Sequence, residues 1–152
     1  MPFENVPDVV RRRMSRIRKR DSRPELIVRR IVTQLGFRYR LHRNDLPGSP
    51  DLVFGGRRKV IFVHGCFWHQ HDCALGKSPR SRPEYWLPKL ARNRARDAKT
   101  EAALRVAHWD VITVWECETR DEQSLAARLK TLLREDSASR AYRTVVAQRG
   151  QS

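Results

Sequence analysis

The chain has 152 residues, with 32 basic against 17 acidic side chains and a formal charge of +15. That length suits one domain with a real core, and no apolar run is long enough for a membrane-spanning helix. With no recognisable signal peptide, neither export nor membrane insertion is expected. Excess charge of this size repels itself and does not help folding, so its expected use is a polyanionic partner, nucleic acid first. A basic protein that merely associates with ribosomes is the plainer alternative. Three cysteines, two of them inside a Cys/His cluster, argue against a disulfide scaffold and for a reducing compartment.

In chain order, residues 1–20 form a basic arm. Arg11 to Arg20 holds seven basic residues in ten, with Met14 and Ile17 as its apolar members. Such an arm is either disordered or orders along phosphates, which leaves Met14 free to touch bases. Ser22-Arg23-Pro24-Glu25 starts a helix: Ser22 caps, Pro24 suits the first turn, and Glu25 takes the capping-box position. Leu26, Ile27, Ile31, Val32 and Leu35 give that helix an apolar stripe, and Gly36 stops it. Phe37 to His42 alternates as a half-exposed strand whose outer face is Arg38, Arg40 and His42. Asn44 to Pro50 is a loop. Asp51-Leu-Val-Phe and Arg58 to Val63, joined at Gly55-Gly56, form a hairpin that sets Asp51 beside Val63 and His64.

The segment Lys59–Cys73, KVIFVHGCFWHQHDC, is the densest in chemistry. A short β-branched and aromatic run breaks at Gly65 and is followed by Cys66, Phe67, Trp68, His69, His71 and Cys73. Ala74 to Arg82 is a basic loop. Pro83 to about His108 is a long helix with Trp86, Leu87, Leu90, Ala91, Ala102, Ala103 and Val106 apolar and Asp97 in an arginine-rich middle. Trp109 to Cys117 is the clearest strand, and Asp121 to Arg134 is an amphipathic helix. The order helix, strand, hairpin, helix, strand, helix describes an α/β fold, a mixed sheet covered by helices. Residues 21–135 form its single domain and 136–152 a tail without a strong pattern.

Cys66-x4-His71-x-Cys73 sets three zinc-type ligands within eight residues, and Cys117 ends the WDVITVWEC strand. If that strand pairs near the hairpin, the four residues close a tetrahedron with no open position, a structural zinc site. Buried apolar cysteines are the bland alternative. Phosphodiester cleavage needs a divalent metal, a water and a proton acceptor. Asp51 is a hard-oxygen ligand suited to magnesium, the backbone carbonyl of Val63 can join it, and His64 or His69 can take a proton near neutral pH. Taken singly, Asp51 reads as a turn residue and each histidine as structural; together, on adjoining strand ends of a basic protein, they point to a site. Phe67, Trp68 and Trp86 are either core packing or a wedge that enters the base stack.

HGCFWH with His71 and Cys73, the preceding Gly48-Ser49-Pro50-Asp51 and the distant Trp115-Glu116-Cys117 closely resemble the very-short-patch repair (Vsr) endonucleases, over about Met14 to Cys117. The resemblance implies a restriction-endonuclease-like core and an enzyme that nicks DNA 5′ of the thymine in a T·G mismatch. It implies magnesium on Asp51 and the Val63 carbonyl, His69 as general base with His64 assisting, and Glu25 and Asp97 as supporting acids. It further implies structural zinc on Cys66, His71, Cys73 and Cys117, with Phe67, Trp68 and Trp86 as the wedge. The family commonly has threonine where this chain has Val63, a change a backbone ligand tolerates. A Glu-x-Lys pair of restriction nucleases is missing, so the mechanism must run through histidine. The expected partner is double-stranded DNA bound by a monomer in the bacterial cytoplasm, nucleoid-associated, with mismatch-repair proteins and a repair polymerase nearby. A same-fold endonuclease of different target, or a zinc-stabilised binder without catalysis, are the competing readings.

Overall fold

The computed structural model describes residues 21–69, 71–76 and 81–135. Met14 with its arm, and the tail from 136, lie outside the described residues. Helix α1 spans Arg23–Gln34, and the hydroxyl of Ser22 accepts from the Glu25 backbone N–H at 3.4 Å. Leu35 ends the helix and Gly36 follows at φ +88, a left-handed turn that favours glycine. Four strands follow: β1 (Arg40–Leu41), β2 (Leu52–Phe54), β3 (Lys59–His64) and β4 (Asp110–Trp115). Helix α2 (Pro83–Val106) connects β3 to β4, and α3 (Glu122–Arg134) closes the described chain.

The sheet order is β1-β2-β3-β4, with β1, β2 and β3 antiparallel and β4 parallel to β3. Side chains alternate strictly across it, as the pleat requires. Leu52, Phe54, Ile61, Ile112 and Val114 pack on Val28, Ile31 and Val32 of α1 and on Leu125, Leu129 and Leu133 of α3. Val53, Val60, Phe62 and Val111 face the other way, against Leu104 of α2 and Trp109. The result is three layers, with α1 and α3 on one side and α2 on the other. Each fully buried aliphatic contributes about 1.5–3 kcal/mol.

Four sequence expectations change in detail. The strand over Phe37–His42 shrinks to Arg40–Leu41, because the three-residue β2 offers only the pairs Arg40↔Val53 and Leu41↔Leu52. The alternation also breaks there: Leu41 is 42% exposed, while His42 takes φ 46 and turns inward instead of joining the basic outer face. The hairpin turn takes four residues, Gly55 to Arg58, so β3 starts at Lys59. The strand expected through Cys117 stops at Trp115, where a 3-10 turn over Glu116–Arg120 begins; the Glu118 carboxylate accepts from the Trp115 N–H at 2.8 Å. In α2 the inward stripe is Trp86, Leu90, Asn93, Asp97, Thr100 and Leu104, while Leu87 and Val106 are exposed.

At the turn end of the hairpin, three consecutive basic residues hold two helix C-termini. Arg58 donates to the carbonyl of Ala107 at 2.6 Å, just past α2. Arg57 donates to Leu133 at 3.0 Å and Lys59 to Leu132 at 2.5 Å, both in the last turn of α3. Lys59 is 1% exposed and its ammonium also lies 3.4 Å from Asp110. Buried charge is tolerated only when so compensated. Lys59→Ala should therefore cost about 3 kcal/mol in chemical denaturation; a loss below about 1 kcal/mol would show that Lys59 does not anchor α3.

Candidate active site

The C-terminal end of β3 outruns its antiparallel neighbour. The last pair there is Leu52↔Ile61, so Val63 lies beyond the end of β2. Its N–H is taken by a side chain instead, the Asp51 carboxylate, at 2.7 Å. In a strand, the N–H and C=O of one residue point to the same side. The Val63 carbonyl therefore points to the side on which Asp51 sits, as a shared cation would require.

Glu25 reaches the same place from α1. It does not complete the capping box: one oxygen accepts from the N–H of Asp21, not of Ser22, at 2.6 Å and from Arg29 at 2.8 Å. Its other oxygen lies 2.6 Å from His42 Nε2, which is 3.9 Å from Asp51. Glu25 is 2% exposed. Burial, with the Glu25 carboxyl alongside, pushes the Asp51 acid up to about 7; the Val63 N–H pulls the other way. His42 is a site residue the sequence reading missed, because regular alternation put it outside.

One residue further along β3, His64 stacks on His69, with ring centroids 3.8 Å apart and planes 3° from parallel. The stack is possible because the chain doubles back at Gly65, whose carbonyl accepts from the His69 N–H at 3.2 Å. Asp97, from the polar middle of the α2 stripe, bonds His69 Nδ1. Burial holds the His64 imidazole down to about 4, with the His69 ring adding to the effect, so it is neutral at physiological pH. Asp51 and His69 are thus joined through adjacent residues, Val63 and His64.

Parallel pairing sets His64 opposite Trp115 and brings Cys117 to the bend after β3. Cys66, His71, Cys73 and Cys117 offer three sulfurs and one ring nitrogen, all within 4.8 Å of one another. Cys117 donates its N–H to Cys66 Sγ at 3.4 Å, and its own sulfur lies 3.5 Å from His71 Nδ1. Trp115 stacks on the His71 ring at 4.1 Å. A Cβ at Gly76 would collide with the His71 carbonyl oxygen, so the loop can fold this tightly only with glycine there. Burial pushes the Cys66 thiol up to about 12 and raises Cys117 as well. A cation entering the cluster would have to displace these thiol protons, so its affinity would rise with pH. The donor set fits a metal ion.

Phe67, Trp68 and Trp86 form one cluster with Leu90 and Tyr85. Phe67 stands edge-on to Trp68 at 5.1 Å and to Trp86 at 5.4 Å. Trp86 is only 2% exposed, so it is the floor of the cluster, and the half-buried Phe67 and Trp68 are its outer members. Asn93, one helical turn from Asp97, donates to the Trp68 carbonyl at 3.1 Å. Helix α2 therefore holds both Trp68 and His69. Asn93 was also missed; the signal for it was the polar interruption of an otherwise apolar helical stripe.

A family model described as DNA mismatch endonuclease Vsr matches residues 6–75. A type II nicking enzyme, V.XorIIP of Xanthomonas oryzae pv. oryzae, is 51% identical over 127 residues, covering 84% of this chain and 93% of its own. DNA mismatch endonuclease Vsr of Escherichia coli is 41% identical over 112 residues, 74% of this chain and 72% of its own. The type II nicking enzyme V.NmeAIP of Neisseria meningitidis is 39% identical over 122 residues, 80% and 87% respectively. Identity of this order across most of both chains places the protein in the Vsr family of DNA mismatch endonucleases, enzymes that act on the phosphodiester bonds of DNA.

Proposed function

We propose that this endonuclease nicks one DNA strand on the 5′ side of the thymine in a T·G mismatch, with magnesium at Asp51 and His69 as general base. The observation that carries this is the junction at Val63-His64, where an acid bonded to the strand end adjoins an imidazole stack oriented by Asp97. With Asp97 on Nδ1, the His69 proton sits on that nitrogen and Nε2 is left to accept one from the attacking water. His64, kept neutral by burial, puts no second positive charge against the ring that must gain a proton. Magnesium, when bound, polarises the phosphate and offsets charge developing on it. Asp51 and the Val63 carbonyl are the hard oxygens that would hold it.

Zinc is the metal the Cys66, His71, Cys73 and Cys117 set favours, since three sulfurs and one nitrogen form a closed tetrahedral site. Its role would be structural: Cys66, His71, Cys73 and Cys117 would use it to tie the bend carrying Phe67, Trp68 and His69 to the end of β4. Phe67 and Trp68 precede His69 directly, so their entry into the base stack would bring the adjacent phosphate to the base. Trp86 backs them. Exposed Arg92, Arg94, Arg96 and Lys99 on α2 supply positive charge for the backbone, and Met14 with the arm would extend that surface. Cleavage by a monomer, a cytoplasmic location and hand-over to mismatch-repair proteins and a repair polymerase complete the reading.

The test is nicking of T·G and matched duplexes side by side, with and without magnesium. Asp51→Ala and His69→Ala should each lower the rate at least ~1000-fold, and Asp97→Asn at least ~100-fold through the wrong tautomer. Equal cleavage of matched DNA would refute the mismatch specificity. Removing the zinc with a chelator should unfold the bend and lower the melting temperature, and zinc alone, not magnesium, should restore it.

Asp51 also carries a stability signature. Its acid is held above the ordinary carboxylate value, so the folded state prefers it protonated, and ionising it costs stability as pH rises from about 4 to about 7. Asp51→Asn removes that cost while keeping an oxygen for the Val63 N–H. Without added divalent ions the variant should melt several degrees higher than the native protein at pH 8, with the gain vanishing near pH 4. A gain that is equal at both pH values would overturn the assignment.

A further inference from the structure

His42 shares the space around Asp51. The left-handed turn at His42 points its ring inward, and Nε2 lies 2.6 Å from Glu25 Oε1 and 3.9 Å from Asp51 Oδ1. One ligand atom from each of the three residues falls within 4.8 Å of the others. The far oxygens of both acids are already committed: Asp21 N–H and Arg29 hold Glu25 Oε2, and the Val63 N–H holds Asp51 Oδ2. The other oxygen of each acid and one ring nitrogen therefore converge, with Glu25 Oε1 hydrogen-bonded to that nitrogen. The side chains of Glu25, His42 and Asp51 are 3%, 14% and 21% exposed, so the space is largely shielded.

Two ligands on one octahedral ion at about 2.1 Å lie roughly 3 Å apart when adjacent and roughly 4.2 Å when opposite. His42 Nε2 stands 2.6 Å from Glu25 Oε1, a hydrogen-bond distance, and 3.9 Å from Asp51 Oδ1, so an entering ion would replace that hydrogen bond and part the groups by a few tenths of an ångström. Two acids face a single arginine here, so a divalent ion would improve the local charge balance, displacing the proton between His42 and Glu25. Oxygen-only sites suit magnesium, whereas an imidazole nitrogen favours transition metals.

We propose that Glu25, His42 and Asp51 form a mixed nitrogen–oxygen cation site, and that His42 shifts the Asp51 centre from magnesium toward manganese and related divalent transition metals. The inference rests on the reading of Asp51 as a cation ligand and adds a third ligand and a metal preference to it. The site discriminates by nitrogen ligation, so its signature is a ratio of affinities.

The experiment uses the full chain with zinc already loaded. Manganese binding is followed by electron paramagnetic resonance, with magnesium as competitor, for the native protein, His42→Gln and Asp51→Asn. His42→Gln should weaken manganese about tenfold or more while magnesium affinity changes less than about threefold. An unchanged manganese-to-magnesium ratio, or equal weakening of both, overturns the proposal. Spin-echo spectra of the native manganese complex read ligation directly, even if His42→Gln folds poorly. Imidazole nitrogen coupling should be present, lost with Asp51→Asn and retained in His69→Ala; its absence from the native complex, or its loss in His69→Ala, overturns the assignment. If Asp51→Asn binds manganese normally, the Asp51 reading itself fails; if only the ratio in His42→Gln is unchanged, that reading stands and the role of His42 falls.

Discussion

The bond from the Val63 N–H to the Asp51 carboxylate is the contact on which the site depends. It exists because β3 is longer than β2: the ladder runs out, and a side chain takes the backbone group a longer strand would have taken. A buried N–H without an acceptor is costly, so the fold is stabilised by placing an acid there. That acid lies near a second one, Glu25, and resists ionising. A cation held between them would relieve that repulsion. Stability of the metal-free protein and readiness to bind metal are thus opposed at one residue.

Parallel pairing of β3 and β4 is the second constraint. It aligns the C-terminal ends of both strands, so the bend after His64 and the turn after Trp115 meet. Cys66 and Cys117 touch for this reason, although they are far apart in sequence. Trp115 faces both the metal-type cluster, through His71, and the His64–His69 stack, at 5.5 and 6.4 Å. One indole is therefore packed against both clusters, and the Cys/His bend and the His64–His69 stack share a wall.

Much of this was legible in the sequence, and for physical reasons. A hairpin fixes which strand ends adjoin, so Asp51 beside Val63 followed from the turn residues alone. Short spacing between Cys66, His71 and Cys73 implied a shared ligand set, and the strand ending in Cys117 supplied the fourth. The family resemblance named Glu25 and Asp97, which local patterns could not separate from a cap and a surface acid. His42 was lost because period-two alternation assumes a strand that continues, and this one ends in a left-handed residue. Asn93 and Asp97 share a subtler cue. The inward stripe of α2 turns polar over Asn93, Asp97 and Thr100 between Leu90 and Leu104, at the height of the bend. The burial of Trp86 needed the tertiary structure, since a tryptophan at a helix start reads the same whether it lies above or beneath its neighbours.

The basic turn at the opposite end of the hairpin has a mechanical consequence. Arg57 and Lys59 grip the end of α3 and Arg58 the end of α2, so the outer layers on both faces are pinned to the sheet at one pole. Any rocking of those layers pivots there and grows with distance from the pin. Its amplitude is greatest at the far pole, where Asp51, the His64–His69 stack and the Cys/His bend come together.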